Sequence, residues 1–186
     1  VGAKLVFPGP DLSQKAVLDL MAKERVTFAA AVPTVWLGVL ALLDENPSRW
    51  DLSAVRMIAV GGAAAPSFLI DGFEKRHRLH VCHSWGMTEL NPVGTIARVK
   101  HGLPGEGEDA LARRSKQGYA VPFVDQRHVD DDGRVLPWDG TQMGELEVRG
   151  PWVAAAYFES PDGADKFTKD GWFKTGDVVT IDPEGY

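Results

Sequence analysis

Seven consecutive residues, His83-Ser84-Trp85-Gly86-Met87-Thr88-Glu89, bring several kinds of chemistry into one short segment. An indole can stack on a base, a glycine lets a ligand approach the backbone, a hydroxyl can bond a phosphate oxygen, and a carboxylate suits Mg2+. Such a cluster suits a nucleotide; the plainer alternative is a solvated loop with one core tryptophan. A second candidate is Gly61-Gly62-Ala63-Ala64-Ala65-Pro66. It offers several positions with little or no side chain, so a flat ligand such as a purine could lie against the backbone. Tight packing explains such a run as well, and it matches neither standard phosphate-loop pattern.

Other conspicuous residues have simpler readings. His80, Cys82 and His83 suggest a metal, yet in a strand the first two share one face and His83 lies on the other, with no fourth ligand nearby. Asp130-Asp131-Asp132-Gly133 reads as a hairpin turn, because a calcium loop needs its acids at alternating positions. Arg76, His77 and Arg78 read as a solvated helix end. Trp36, inside an apolar helical pattern, reads first as a core residue.

The elements that must position these residues alternate through the first hundred residues. Lys4-Leu5-Val6-Phe7 reads as a strand, and Leu12, Ala16, Val17, Leu20, Met21 and Glu24 follow helical spacing. Thr27 to Val32 is a second apolar strand, and Pro33 opens a helix that ends near Asn46-Pro47. Val55 to Val60 is a third strand, Pro66 opens a third helix, and Leu79 to Cys82 is a fourth strand, which places the His83 to Glu89 segment directly after it. Strands separated by helices predict right-handed crossovers and a largely parallel sheet covered on both faces, whose ligand crevice lies at the carboxyl ends of the strands. From Val121 onward five turns end in glycine, at Gly133, Gly140, Gly163, Gly171 and Gly185, and predict an antiparallel, hairpin-rich unit. Glu145 to Val148 and Val178 to Ile181 are its clearest strands. The fold class is therefore α/β: a parallel-sheet subdomain over 1–98, a connecting segment over 99–120 with a surface helix or loop at Glu106 to Gln117, and a small antiparallel, barrel-like β subdomain over 121–186.

Composition narrows the class of function. With 20 Lys+Arg against 26 Asp+Glu the formal charge is -6, so no global basic field attracts nucleic acid. The single cysteine, Cys82, excludes an intrachain disulfide and favours a reducing, cytoplasmic compartment. No apolar run is long enough to span a bilayer, and the first residues do not resemble a signal peptide. The chain starts in a strand pattern without methionine and stops in the turn Pro183-Glu184-Gly185, so it reads as a fragment cut from a longer protein.

Ser84-Trp85-Gly86-Met87-Thr88-Glu89, then Gly144-Glu145-Leu146-Glu147-Val148-Arg149-Gly150 with Tyr157 following, then Trp172-Phe173-Lys174-Thr175-Gly176-Asp177 resemble three successive signatures of the acyl-adenylate-forming enzymes. With Val32-Pro33-Thr34-Val35-Trp36 and Gly61-Gly62-Ala63-Ala64 the resemblance covers the whole chain and is closest to the fatty acyl-CoA ligases of the medium- and long-chain branch. It implies that adenine and acyl group pass along the backbone of Gly61, Gly62 and Ala63, and that Trp85 stacks on adenine, with Ser84 and Gly86 in the same cofactor-binding segment. Thr88 would bond the α-phosphate, Glu89 would be the Mg2+ ligand, and Asp177 would take both ribose hydroxyls. Trp36, Gly86 and Met87 become the substrate-binding candidates, Trp36 because the Val-Pro-Thr segment borders the acyl tunnel in relatives. Most relatives carry Tyr in place of Trp85, which keeps the stacking role and loses any hydroxyl contact. His83 and Ser84 replace Gln and Gly, so an amide contact to adenine from that position is not carried over.

The implied reaction joins a carboxylic acid to ATP as acyl-AMP and then to CoA as the thioester, so the implied partners are small molecules. The resemblance places a Ser/Thr/Gly-rich loop ending in Lys upstream of these residues, and a Gly-Arg motif shortly after Tyr186 followed by the adenylation lysine of a small C-terminal domain; none of the three is found at those places within this sequence, and the isolated chain is expected to be inactive. The competing class of function is a non-catalytic nucleotide-binding or interaction module; within the enzyme class, aryl acids compete with fatty acids as substrates. The sequence leaves acyl chain length and oligomeric state open.

Overall fold

The computed structural model describes residues 2–159 and 161–186. They divide into two compact units, Val1–His83 with Arg98–Lys116, and Ser84–Ala97 with Gln117–Tyr186.

The first unit contains the helices α1 (Gln14–Lys23), α2 (Pro33–Glu45), α3 (Ser67–His77) and α4 (Glu108–Ser115), and the strands β1 (Phe28–Ala31), β2 (Met57–Val60) and the first residues of β3 (Val81–Trp85). β1 pairs parallel with β2, and β2 parallel with β3, with Ala30 opposite Ala59 and Val60 opposite His83. The local causes are mostly visible in the sequence. Ser13 caps α1 by accepting the Ala16 N–H, at 3.3 Å. Pro33 stands in the first turn of α2, where its missing N–H costs nothing. Trp36, Val39, Leu40 and Leu43 follow the spacing of one helix face and are all buried. They meet Leu18, Met21, Ile58, Val60, Leu69, Ile70 and Phe73 in one core.

The second unit holds the end of β3, the strands β4 (Thr95–Ala97), β5 (Tyr119–Ala120), β6 (Asp125–Val129), β7 (Gly144–Arg149) and β8 (Phe173–Val179), and two 3-10 helices, Thr88–Leu90 and Pro161–Lys166. β4 pairs antiparallel with β5, and β6, β7 and β8 form a separate antiparallel sheet in that order. Its core is Leu90, Val124, Leu146, Val148, Phe173 and Ile181.

Four local expectations need correction. Lys4 to Phe7 is not a strand: it pairs with nothing regular, and Leu5 and Phe7 stand exposed. The fourth strand runs through Trp85 instead of stopping at Cys82, so His83, Ser84 and Trp85 are strand residues. The last strand is Phe173–Val179, not Val178 to Ile181, because the side chain of Phe173 anchors it in the core. Arg76 and Arg78 are exposed at the end of α3 as expected, but His77 is not solvated: its side chain is buried and shares a carboxylate partner with Arg76. Arg76 holds Asp44 through two bonds of 2.8 Å and His77 holds it at 2.8 Å, and the guanidinium keeps the Asp44 carboxyl below its usual range.

Candidate functional site

The second unit assembles most of the predicted site residues. Trp85 ends β3, and after Gly86 and Met87 the chain enters the turn that carries Thr88 and Glu89. Asp177 lies in β8, on an irregularity. Glu145 pairs with Val178 and Glu147 with Lys174, so Thr175, Gly176 and Asp177 together stand opposite Leu146. The residue types explain this bulge. Gly176 takes φ +79°, a left-handed conformation natural to glycine. The Thr175 hydroxyl donates to the Leu146 carbonyl at 2.8 Å and accepts the Asp177 N–H at 3.1 Å. The Thr-Gly-Asp sequence is thus a device for lifting one carboxylate out of a strand.

That carboxylate meets the first motif. The indole Nε1–H of Trp85 donates to Asp177 Oδ2 at 2.7 Å, across 92 positions of sequence. Glu89 is held from another segment: the Tyr157 hydroxyl donates to Glu89 Oε1 at 2.6 Å, and the Ala154 N–H donates to the Glu89 carbonyl at 2.8 Å. Asn91 Nδ2 reaches the Trp152 carbonyl at 2.8 Å, so residues 152 to 157 strap the Thr88–Leu90 turn in place. The bond to Glu89, together with partial desolvation, pushes the Tyr157 hydroxyl above its usual pKa. Sequence reasoning missed this role of Tyr157, since it lies 68 positions from Glu89 and no local pattern links them.

Other predicted residues are explained by packing. A Cβ on Gly86 would fall 1.9 Å from the Pro92 carbonyl oxygen, so the close approach that this glycine permits is made by the chain itself. Met87 packs against the second core. Thr88 is exposed in the 3-10 turn, and Ser84 is half-buried in β3.

The remaining predicted residues belong to the first unit. Gly61, Gly62 and Ala63 follow the carboxyl end of β2, and Gly62 needs its freedom, with φ +80° and the Val32 side chain 3.3 Å from where a Cβ would stand. Trp36 is 1% exposed; its indole N–H donates to the Ala59 carbonyl at 2.9 Å and its ring meets Phe73 edge-on. It is a core residue that ties α2 to β2. His83 supports the Gly-Ala loop from within: its Nε2 accepts the Ala65 N–H at 3.2 Å, and its ring is buried beside the backbone of Ala63, Ser115 and Lys116. Burial pushes the Cys82 thiol up, the opposite of an activated thiolate. At the Asp130 turn, Oδ1 accepts the N–H groups of Asp132 and Arg134, as a hairpin turn requires.

Burial holds His83 below the ordinary histidine pKa of 6.5, with nearby backbone contacts opposing the shift. The folded state therefore binds this proton less readily than the unfolded one. The stability it contributes is complete above the ordinary value and is lost as pH falls toward the lowered one. Urea unfolding between pH 5 and 8 should show that decline in the parent chain and a flatter profile in His83→Gln. An identical slope in the variant would assign the decline to other groups.

The chain is 43% identical over 188 aligned residues to a 3-methylmercaptopropionyl-CoA ligase of Ruegeria pomeroyi, covering all of this chain and 34% of that protein. It is 41% identical to a medium-chain-fatty-acid–CoA ligase of Ectopseudomonas oleovorans, again over its whole length and 34% of the relative. The chain thus spans about a third of the length of the curated relatives it matches. The fold matches the crystal structure of the anthranilate CoA ligase AuaEII in complex with anthranoyl-AMP, with a TM-score of 0.81 at 24% identity, over 97% of this chain and 32% of that one. The model of a family described as AMP-binding enzyme matches residues 1–158, a stretch that includes Trp85, Glu89 and the Tyr157 strap, and the chain belongs to that AMP-binding enzyme family.

Proposed function

We propose that this chain forms the nucleotide-holding part of an AMP-forming acyl-CoA ligase. The carboxylate of an acid attacks the α-phosphorus of ATP, releasing pyrophosphate and giving acyl-AMP; the CoA thiol then attacks the acyl carbon, giving the thioester and releasing AMP. Both steps join charged or bulky reactants, so the protein's contribution is positioning and electrostatic stabilisation.

The observation that carries this reading is the meeting of Trp85 and Asp177, an aromatic face beside an exposed carboxylate that can accept from a vicinal diol. Thr88 would bond the α-phosphate. Glu89 suits Mg2+: a single carboxylate, held on one oxygen by Tyr157, is the kind of ligand Mg2+ takes when phosphates and water complete its shell. When bound, the ion would neutralise phosphate charge. Glu89 itself keeps its carboxylate aimed through the Tyr157 bond.

The substrate class we infer is an aliphatic acid of the fatty-acid type. Two relatives above 40% identity carry names of aliphatic acids, whereas the anthranilate enzyme supports the fold alone. A cytoplasmic setting accompanies this reading, since ATP and CoA are its substrates; among the described residues no helix is long and apolar enough to cross a membrane.

A panel of aliphatic and aryl carboxylic acids, assayed with the complete protein for AMP release, tests the reading. Activity confined to aryl acids would overturn the fatty-acid assignment. The 186-residue chain by itself is expected to bind AMP weakly and to form no acyl-CoA; turnover by the purified chain would refute this.

A further inference from the structure

We propose that Trp85 is a positioning residue for Asp177, its indole N–H orienting the carboxylate that recognises ribose, so that preference for ribonucleotides depends on an N–H at position 85. The inference rests on the nucleotide reading above and adds to it a second role for the aromatic ring.

The two partners are fixed independently before they meet. On the tryptophan side, the Gly94 N–H donates to the Trp85 carbonyl at 2.9 Å, which sets the strand end. The ring closes over Gly94: a Cβ there would lie 2.4 Å from Trp85 Cζ3 and 2.8 Å from Cε3. On the aspartate side, the Thr175-Gly176 bulge presents Asp177 through the bonds from Thr175 to Leu146 and from Asp177 to Thr175. The Gly176 N–H is held in turn by Glu145 Oε1 at 3.1 Å. Nε1 and Oδ2 then stand 2.7 Å apart.

Asp177 is exposed, and an exposed carboxylate turns about its side-chain torsions unless something holds it. A bond from a neutral N–H to a carboxylate is among the stronger hydrogen bonds, and it reduces the ordering that the ligand must otherwise impose. It does not use up the acceptor. Each carboxylate oxygen has two lone-pair sites, so accepting the indole on Oδ2 leaves room for two ribose hydroxyls.

The test measures binding of AMP, 2′-deoxy-AMP and 3′-deoxy-AMP to the 186-residue chain by calorimetry. The unaltered chain should prefer AMP by about tenfold or more over either deoxy form, as expected for hydrogen bonds to a charged acceptor. Trp85→Phe keeps an aromatic face and lacks the N–H. It should weaken all three ligands by the stacking they share and, in addition, lower the preference for AMP severalfold. Should Trp85→Phe fail to fold, benzothienylalanine at position 85 serves instead, since its bicyclic ring carries sulfur in place of the N–H and keeps the packing on Gly94. In an Asp177→Asn background the preference should already be low, and Trp85→Phe should lower it no further. An undiminished preference for AMP in either N–H-less protein overturns the positioning role while leaving the nucleotide reading intact. Absence of AMP binding by the unaltered chain overturns the nucleotide reading itself, and with it this inference.

Discussion

Glu89→Ala is expected to slow acyl-adenylate formation by about a hundredfold or more in the complete ligase, a size typical of losing one electrostatic group aimed at developing charge. The effect should be uneven between the half-reactions. Pyrophosphate charge builds only while the adenylate forms, so thiolysis of supplied acyl-AMP should change much less. Tyr157→Phe provides the structural control, because it removes the hydroxyl that holds Glu89 Oε1 and keeps the ring contacts with Phe167 and Phe173. Asp177→Ala should behave differently from Glu89→Ala. It removes acceptors used by every nucleotide state, so affinity for ATP and acyl-AMP should fall together, by about 1.5–3 kcal/mol for each charge-assisted bond lost. Single-turnover measurements of the two half-reactions decide between these patterns. Equal losses in both steps for Glu89→Ala would show that Glu89 has been given the wrong role.

Trp36→Ala should produce the largest loss of stability, about 3–5 kcal/mol, the range for truncating a buried aromatic residue. Trp36 fills the centre of the first core, meets Phe73 edge-on at 5.9 Å between ring centroids, and gives its N–H to Ala59 in β2. Truncation therefore leaves both a cavity and a carbonyl that has lost its partner. Trp36→Phe should cost less, since it restores part of the volume and none of the hydrogen bond. Urea unfolding of the three proteins provides the check; a midpoint for Trp36→Ala equal to that of the parent would exclude a core role.

The amino-acid sequence by itself determined the helices and most of the sheet. Pro33 and Pro66 mark helix starts, the spacing of Trp36, Val39, Leu40 and Leu43 gives a buried face, and the glycine-ended turns announce the antiparallel unit. These features are local, and their physical causes act within a few residues. The motifs of the site were equally legible as residue types.

Tertiary structure decided what those residues touch. It showed that Trp85 gives its N–H to Asp177, that Tyr157 holds Glu89, that His83 supports the Gly-Ala loop, and that Gly86 makes room for Pro92. It also moved two boundaries: β3 extends through Trp85, and β8 begins at Phe173. The reason is common to all of these. A strand end and a hydrogen-bond partner depend on neighbours supplied by distant parts of the chain, such as Gly94 beside Trp85 and the Leu146 carbonyl beside Thr175, and periodicity within a short window carries no record of them.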